Sequence, residues 1–332
     1  GLTGATIARV LFDAGKKVLV IERRNHVGGN VYDETHESGI RIHTYGPHYF
    51  RTSDDKIWNF VNRFAEFNKY IACLKSFVDG EYENWPISGS YIKQKIGVNW
   101  SPSFKGRPTN FEEAALSLMP EEIYYKFIKG YNIKQWGIDP SQLSVGLINR
   151  FDVRADDDPR LTPRHKYQGI PQNGYSTFMA NMLKGIPILL NVDFCKEKSE
   201  FDGNGYIIYT GPIDAYFDYC YGKLKYRGQK RQHEYFPDVD FYQPNGQINN
   251  PSLEAGDFIR TLEWKHMMPE NYSKRIKGTV ITREVTYTPD IIDDYEYPFP
   301  DETNQILYRK YLKLVEGVPN LIVCGRLGEY KY

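Results

Sequence analysis

The stretch that most restricts the fold is residues 1–30, GLTGATIARVLFDAGKKVLVIERRNHVGGN. Ile7, Val10, Leu11 and Ala14 recur at i, i+3, i+4 and i+7, which predicts an amphipathic helix with one buried stripe. Gly15 ends it, and the unbroken apolar run 18–21 predicts a strand buried on both faces of a parallel sheet. Glu22 closes that strand, about 20 residues after the glycines. Glycines, helix, strand and acid in this order form the second half of a βαβ dinucleotide fingerprint. Gly1 and Gly4 take its second and third glycine positions, and the first glycine and first strand are expected to lie outside this sequence. The chain closes on another strand–glycine junction, NLIVCGRLGEYKY, so both ends are expected to border one cofactor site.

At 332 residues the chain can bury a large core and is expected to form two domains. Lys plus Arg and Asp plus Glu number 42 each, so no net field draws it to nucleic acid, and an anion site must come from a local cluster of cations. The mean hydropathy of −0.57 and the lack of an 18-residue apolar run argue against a membrane span. Cys73, Cys195, Cys220 and Cys324 form no C-x-x-C pair and read as reduced thiols of a cytoplasmic protein. The histidines show no metal-ligand spacing, and His43 and His48 flank a Tyr-Gly-Pro turn, so no metal is expected. The 27 tyrosines suit either packing or a cleft that stacks bases and hydrogen-bonds sugars and phosphates.

Farther along, IRIHTYGPHYF predicts strand and turn, followed by a helix starting near Ser53. KSFVDGEYENWPI predicts a hairpin turning at Asp79-Gly80. Residues 109–150 read as helical, broken at Pro120, which suits a first helical position. GYIIYTGPID gives another buried strand, and residues 224–290 alternate like antiparallel strands with a break around QPNGQINNPSLEAGD.

The motifs VLVIERRNHVGGN, YGPHYF, IKGYNIKQWG, YTGPIDAYFDY and GRLGEYKY together resemble the UDP-galactopyranose mutase family, in its order and along essentially the whole chain. The resemblance implies an α/β fold with three parts. These are a Rossmann-like FAD-binding domain (1–75, 190–223 and 300–332), a helical uridine-binding insertion (109–150), and an antiparallel sheet region for substrate (76–108, 151–189 and 224–299). It implies an isomerase that interconverts UDP-galactopyranose and UDP-galactofuranose through a reduced-flavin N5–sugar adduct, without net redox, for surface polysaccharide. A cytoplasmic enzyme is what the family suggests, and homodimers are common in it.

The same resemblance assigns residues. Arg150 and Arg260 match the arginines that contact the diphosphate, where planar guanidinium donors suit phosphate oxygens. Tyr297 and Tyr332 match tyrosines that donate to it. Phe127, Tyr131, Asn132 and Trp136 match the uracil clamp, and Asn84 and Asn249 match uridine and sugar contacts. For FAD it gives Gly1, Thr3, Gly4, Glu22 at the adenosine ribose, Asn30, Tyr49, Arg326 at the pyrophosphate, and His48 beside the isoalloxazine.

Three positions depart from the family pattern. Arg51 stands where galactose-specific members carry histidine; Leu161 or Arg160 falls near an expected substrate-contacting tyrosine; Glu296 replaces one of two adjacent tyrosines. The sugar pocket is therefore expected to differ, and the same chemistry on another sugar, UDP-N-acetylgalactosamine or a dTDP-deoxyhexose, is the nearest alternative. Further off stand a net-redox amine-oxidase-type flavoprotein and a non-catalytic nucleotide-sugar binder.

Overall fold

The computed structural model describes residues 1–150, 153, 156–201 and 205–331; the side chain of Arg150, and Tyr332, lie outside the described residues. Its largest element is a seven-stranded sheet of β1 (Leu74–Val78), β2 (Glu81–Trp85), β3 (Tyr226–Phe236), β4 (Gln247–Asn249), β5 (Arg260–Glu263), β6 (Thr279–Tyr287) and β7 (Tyr297–Pro298). The spatial order is β7-β3-β6-β5-β4-β1-β2. Every pairing is antiparallel except β4 on β1, which joins the early hairpin to the later meander. That hairpin turns at Asp79 and Gly80, both at positive φ (51° and 81°), which matches the twist of the strands it joins.

The dinucleotide region holds two parallel strand pairs, Val20–Glu22 with Ile188–Leu190 and Ile207–Tyr209 with Leu321–Val323. The first and third of these strands were expected to be buried. Instead all their residues are partly exposed, and Leu19 is 48% exposed, because each pair is only two strands wide among the described residues.

The helix Leu2–Asp13 forms as predicted, but its buried stripe is rotated. Val10 is 51% exposed and Ala14 lies open, whereas Ala5, Ala8 and Arg9 are buried. The helix crosses Tyr175–Met182, where the small alanines let Met179 and Met182 pack closely. Arg9 reaches past the end of that helix, donating to the carbonyls of Met182 (3.3 Å) and Lys184 (3.0 Å), acceptors a helix end leaves unpaired. The next helix, Asp55–Val61, starts two residues after Ser53 because Asp54 caps it, accepting from Lys56 N and Ile57 N.

The insertion has its own core, with Phe111, Met119, Ile123, Tyr124, Phe127, Ile128 and Trp136 at its centre. Its first helix, Phe111–Leu116, is capped by Asn110, which accepts from Glu113 N at 3.0 Å. Pro120 does separate it from the next, but as the extended residue before that helix, not its first helical residue. The helix then runs through residues 121–136, with a π-helical stretch at Tyr124–Lys129. It ends at Gly137, whose φ of +72° is the left-handed cap that favours glycine.

Candidate active site

The helix 121–136 is fastened to the sheet at both levels. A Cβ on Gly130 would lie 2.1 Å from the Pro251 carbonyl oxygen, so only glycine allows this approach. Lys134 Nζ donates to the carbonyls of Asn250 (3.2 Å) and Phe258 (3.1 Å), and burial lowers its pKa to about 8. Arg227, buried on β3, donates to the last carbonyls of the helix, Gln135 O (2.8 Å) and Lys134 O (3.3 Å). Between helix and sheet opens a cavity of about 560 Å³.

One wall is the helix. Phe127, Tyr131 and Gln135 repeat every four residues and so share a face, with Asn132 and Trp136 one step beside them. Phe127 and Trp136 are each 2% exposed and belong to the insertion core, Trp136 meeting Phe299 edge-on at 6.0 Å. Tyr131 is the partly exposed ring of the three, so a base would stack chiefly on it. Asn132, on the cavity lining, donates its amide nitrogen to Ile128 O (2.9 Å), so its oxygen is the group left to accept.

The opposite wall is the sheet. Asn249 pairs with Arg260, Arg260 with Glu284, and Glu284 with Arg231, one in-register row across β4, β5, β6 and β3. Side chains in such a row share a face and touch. Arg260 Nε donates to one oxygen of the fully buried Glu284, and Arg231 Nε to the other at 2.8 Å. Burial alone would raise Glu284, but the two guanidinium groups outweigh it and hold the carboxyl below its usual range. Arg231 also donates to both oxygens of Glu296, at 2.8 and 2.9 Å. Asn249 accepts from Gln247 Nε2 (2.9 Å), and Gln247 in turn accepts from the Tyr49 hydroxyl (3.1 Å).

The third side is the turn 45–49. Gly46, at φ +91°, sends its carbonyl to His48 Nδ1 (2.8 Å). A carbonyl only accepts, so Nδ1 carries the proton and Nε2 keeps a lone pair. Burial, with His43 and Arg326 nearby, lowers the His48 pKa to about 3, so the ring is neutral at physiological pH. Arg51 lines the same cavity from the strand Phe50–Thr52.

Asn30 and Arg326 link this cavity to the dinucleotide region. Asn30 Nδ2 donates to Tyr295 O (3.1 Å); Arg326 Nη1 donates to Glu296 O (3.2 Å) and its guanidinium lies 5.5 Å over the Tyr297 ring. Behind them the 12-residue helix Leu2–Asp13 presents its N-terminus, a natural seat for a pyrophosphate. Gly29 meets it so closely that a Cβ there would lie 3.0 Å from Gly1, and one on Gly325 would lie 3.4 Å from Thr3 Oγ1. Glu22 stands at the end of Val20–Glu22 and accepts from Arg24 N at 3.1 Å. These glycines form a cradle that side chains would fill, and the residues fit a dinucleotide running from Glu22 toward His48.

Of the residues expected from the sequence, Asn30, His48, Tyr49, Arg51, Phe127, Tyr131, Asn132, Trp136, Asn249, Arg260, Tyr297 and Arg326 line the cavity. Gly1, Thr3, Gly4 and Glu22 border the helix N-terminus behind it. Asn84 does not belong: β2 alternates, so Trp85 faces the cavity while Asn84 lies exposed and accepts from Lys75 Nζ (2.9 Å). Arg150 and Tyr332 fall outside the described residues as noted. At the altered loop it is Leu161 that lines the cavity; Arg160 is held by Asp158 at 2.8 and 2.9 Å. Sequence reasoning missed Tyr45, Gln135, Asn149 and Gln247 as lining residues, and Glu284 and Arg231 behind the wall.

Comparison with known proteins identifies the family and the fold. Residues 126–332 match the family model described as UDP-galactopyranose mutase, and residues 1–64 match an NAD(P)-binding Rossmann-like domain. A Klebsiella pneumoniae protein named "Probable UDP-galactopyranose mutase" is 35% identical over 100% of this chain and 88% of its own length. The dTDP-fucopyranose mutase of Escherichia coli is 32% identical over 100% of this chain and 92% of its own. The crystal structure of a reduced UDP-galactopyranose mutase shares the fold at a TM-score of 0.78, with 16% identity over 100% of this chain and 89% of that one. The chain is a member of the UDP-galactopyranose mutase family, an isomerase-type enzyme built on a Rossmann-like dinucleotide-binding domain.

Proposed function

We propose that this enzyme interconverts UDP-galactopyranose and UDP-galactofuranose, with FAD as its dinucleotide, active when reduced. The observation that carries the reading is the cavity in which an aromatic helix wall faces the Arg260–Glu284 row, with neutral His48 between them and the glycine cradle behind. Tyr131 stacks the uracil, backed by Phe127 and Trp136, and Asn132 offers it an acceptor. Arg260, together with Arg150, Tyr297 and Tyr332, holds the diphosphate and takes up the charge that grows on it as the anomeric bond breaks. Gly1, Thr3, Gly4, Glu22, Asn30, Tyr49 and Arg326 hold the dinucleotide, and His48, through Nε2, accepts a hydrogen bond at its reactive end. A reduced flavin bound there supplies a nucleophile for the anomeric carbon and so divides one difficult rearrangement into easier steps.

Among the described residues no helix is long and apolar enough to cross a membrane. A cytoplasmic enzyme, as the family suggests, has ready access to nucleotide sugars. A second reading keeps the chemistry and changes the sugar: Arg51 puts a long cation on the cavity wall, where galactose-specific members carry histidine.

The test is anaerobic incubation with UDP-galactofuranose, with and without dithionite, followed by chromatography. Conversion to UDP-galactopyranose only under reduction is the expected result. Failure with a bound, reducible flavin turns the reading to another sugar, and Arg51→His should then restore activity on the galactose substrate. Failure to bind any flavin sinks both readings.

A further inference from the structure

Four charged side chains behind and along the sheet wall alternate in sign: Glu296, Arg231, Glu284, Arg260. Their side chains are 5%, 7%, 0% and 13% exposed, so water screens them poorly. Arg231 spends Nε on Glu284 and both terminal nitrogens on Glu296. Glu284 divides its oxygens between Arg231 and Arg260. The backbone carbonyl of Glu296 accepts from Arg326 at 3.2 Å, and its carboxylate is held by the paired bonds from Arg231. With Glu296 ionised, a state that burial disfavours and Arg231 favours, two acids cancel two bases along this row. An anion held by Arg260 feels directed hydrogen bonds but no surplus field from this row.

We infer that Glu296 sets how tightly the site holds a diphosphate: by cancelling Arg231 it keeps the wall neutral, so that the nucleoside diphosphate can leave and return. Glu296 and Arg260 both line the cavity, where a buried charge acts more strongly on a multiply charged ligand than it would in water. This rests on reading Arg260 as a diphosphate contact. A site that must release its diphosphate and take it back gains nothing from binding it as tightly as possible.

The test uses the whole enzyme at pH 8, titrated with UDP by calorimetry and with uridine by ligand-observed NMR. Glu296→Gln keeps the shape and removes the charge. It should tighten UDP roughly tenfold (about 1.4 kcal/mol), leave uridine unchanged, and make UDP binding more sensitive to salt. Adding Arg231→Gln should bring UDP affinity back toward the parent. Structural damage would not do this, because damage weakens ligands and does not favour the charged one. Unchanged or weaker UDP binding in Glu296→Gln overturns the inference, as does equal tightening of uridine. Arg260→Met separates this from the underlying reading: if it weakens uridine as much as UDP, Arg260 is not a diphosphate contact and both fall.

Discussion

The helix 121–136 and the row Asn249–Arg260–Glu284–Arg231 face one cavity, yet different physics holds them there. The helix wall is apolar side chains packed into a core of their own, with polar anchors at its C-terminal end and ion pairs from Lys126 to Asp79 and from Lys129 to Glu112 along its outer side. The sheet wall is a chain of buried charges whose places are set by strand register. Apolar packing tolerates a change of shape because its energy is spread over many weak contacts. A buried ion row does not, because losing one member strands the others in a low dielectric.

The largest expected effect would break that contrast if it failed to appear. Glu284→Ala leaves Arg231 and Arg260 facing each other with one acid fewer, and should cost about 3–5 kcal/mol of folding stability. Phe127→Leu, on the helix wall, should cost less than about 1.5 kcal/mol because a large apolar side chain remains. Urea unfolding of both variants measures the difference. Equal losses would mean that the two walls are held in the same way.

A smaller pair of substitutions sharpens the division of labour. Tyr131→Ala should weaken uridine and UDP alike, by about 1–3 kcal/mol for one stacked base. Arg260→Lys loses the planar fork and should weaken UDP while leaving uridine untouched. Competition titrations with the two ligands decide it, and a Tyr131 variant that loses only UDP would contradict the assignment.

The two walls were also unequally legible in the sequence. The helix wall was the easier to read: its residues were assigned by resemblance too, but IKGYNIKQWG is one local motif, and helical spacing fixes which of its side chains share a face. What stayed hidden was how deeply Phe127 and Trp136 sink into the insertion core, and the π-helical stretch below them, for which no residue pattern gives warning. The sheet wall came through only at Arg260 and Asn249, and only by resemblance. Arg231 lies 53 residues from Glu284, and no spacing rule joins them. One signal existed: Glu284 sits in TVITREVTY, where a charge amid residues suited to a buried strand demands a partner. EYENW gave no such signal: two-residue alternation groups Trp85 with Glu81 and Glu83, and Asn84 with Tyr82, so the pattern does not say which face turns inward. The first helix failed for another reason. A stripe of large apolar residues suggested the buried face, but the close crossing with Tyr175–Met182 selected alanines instead.

The last comparison separates the regions by pH, and its smallest effect lies at the alkaline end. On the acid side, His43, 2% exposed beside the turn, has a pKa lowered from 6.5 to about 3 by burial and by the Arg41 charge. The unfolded chain takes up that proton first, so stability present above pH 6.5 drains away as the pH falls toward 3, at roughly 1.4 kcal/mol per pH unit. Glu284, held below its usual range, loses its contribution in the same direction as it protonates. The helix anchor titrates at the other end. Burial lowers Lys134 from 10.5 to about 8, so between those values the unfolded state binds the extra proton and stability rises with pH. Lys134 is only partly buried, so the gain should stay below about 1 kcal/mol per pH unit. Buried tyrosines keep their protons there while those of the unfolded chain begin to ionise near pH 10, so the comparison must be made against Lys134→Met, which keeps them all. Relative to that variant, the parent should gain stability between pH 8 and pH 10 in urea melts. A parallel pH dependence in the two proteins would show that Lys134 keeps its proton when folded, and that the helix is fastened by an ammonium ion rather than by a neutral amine.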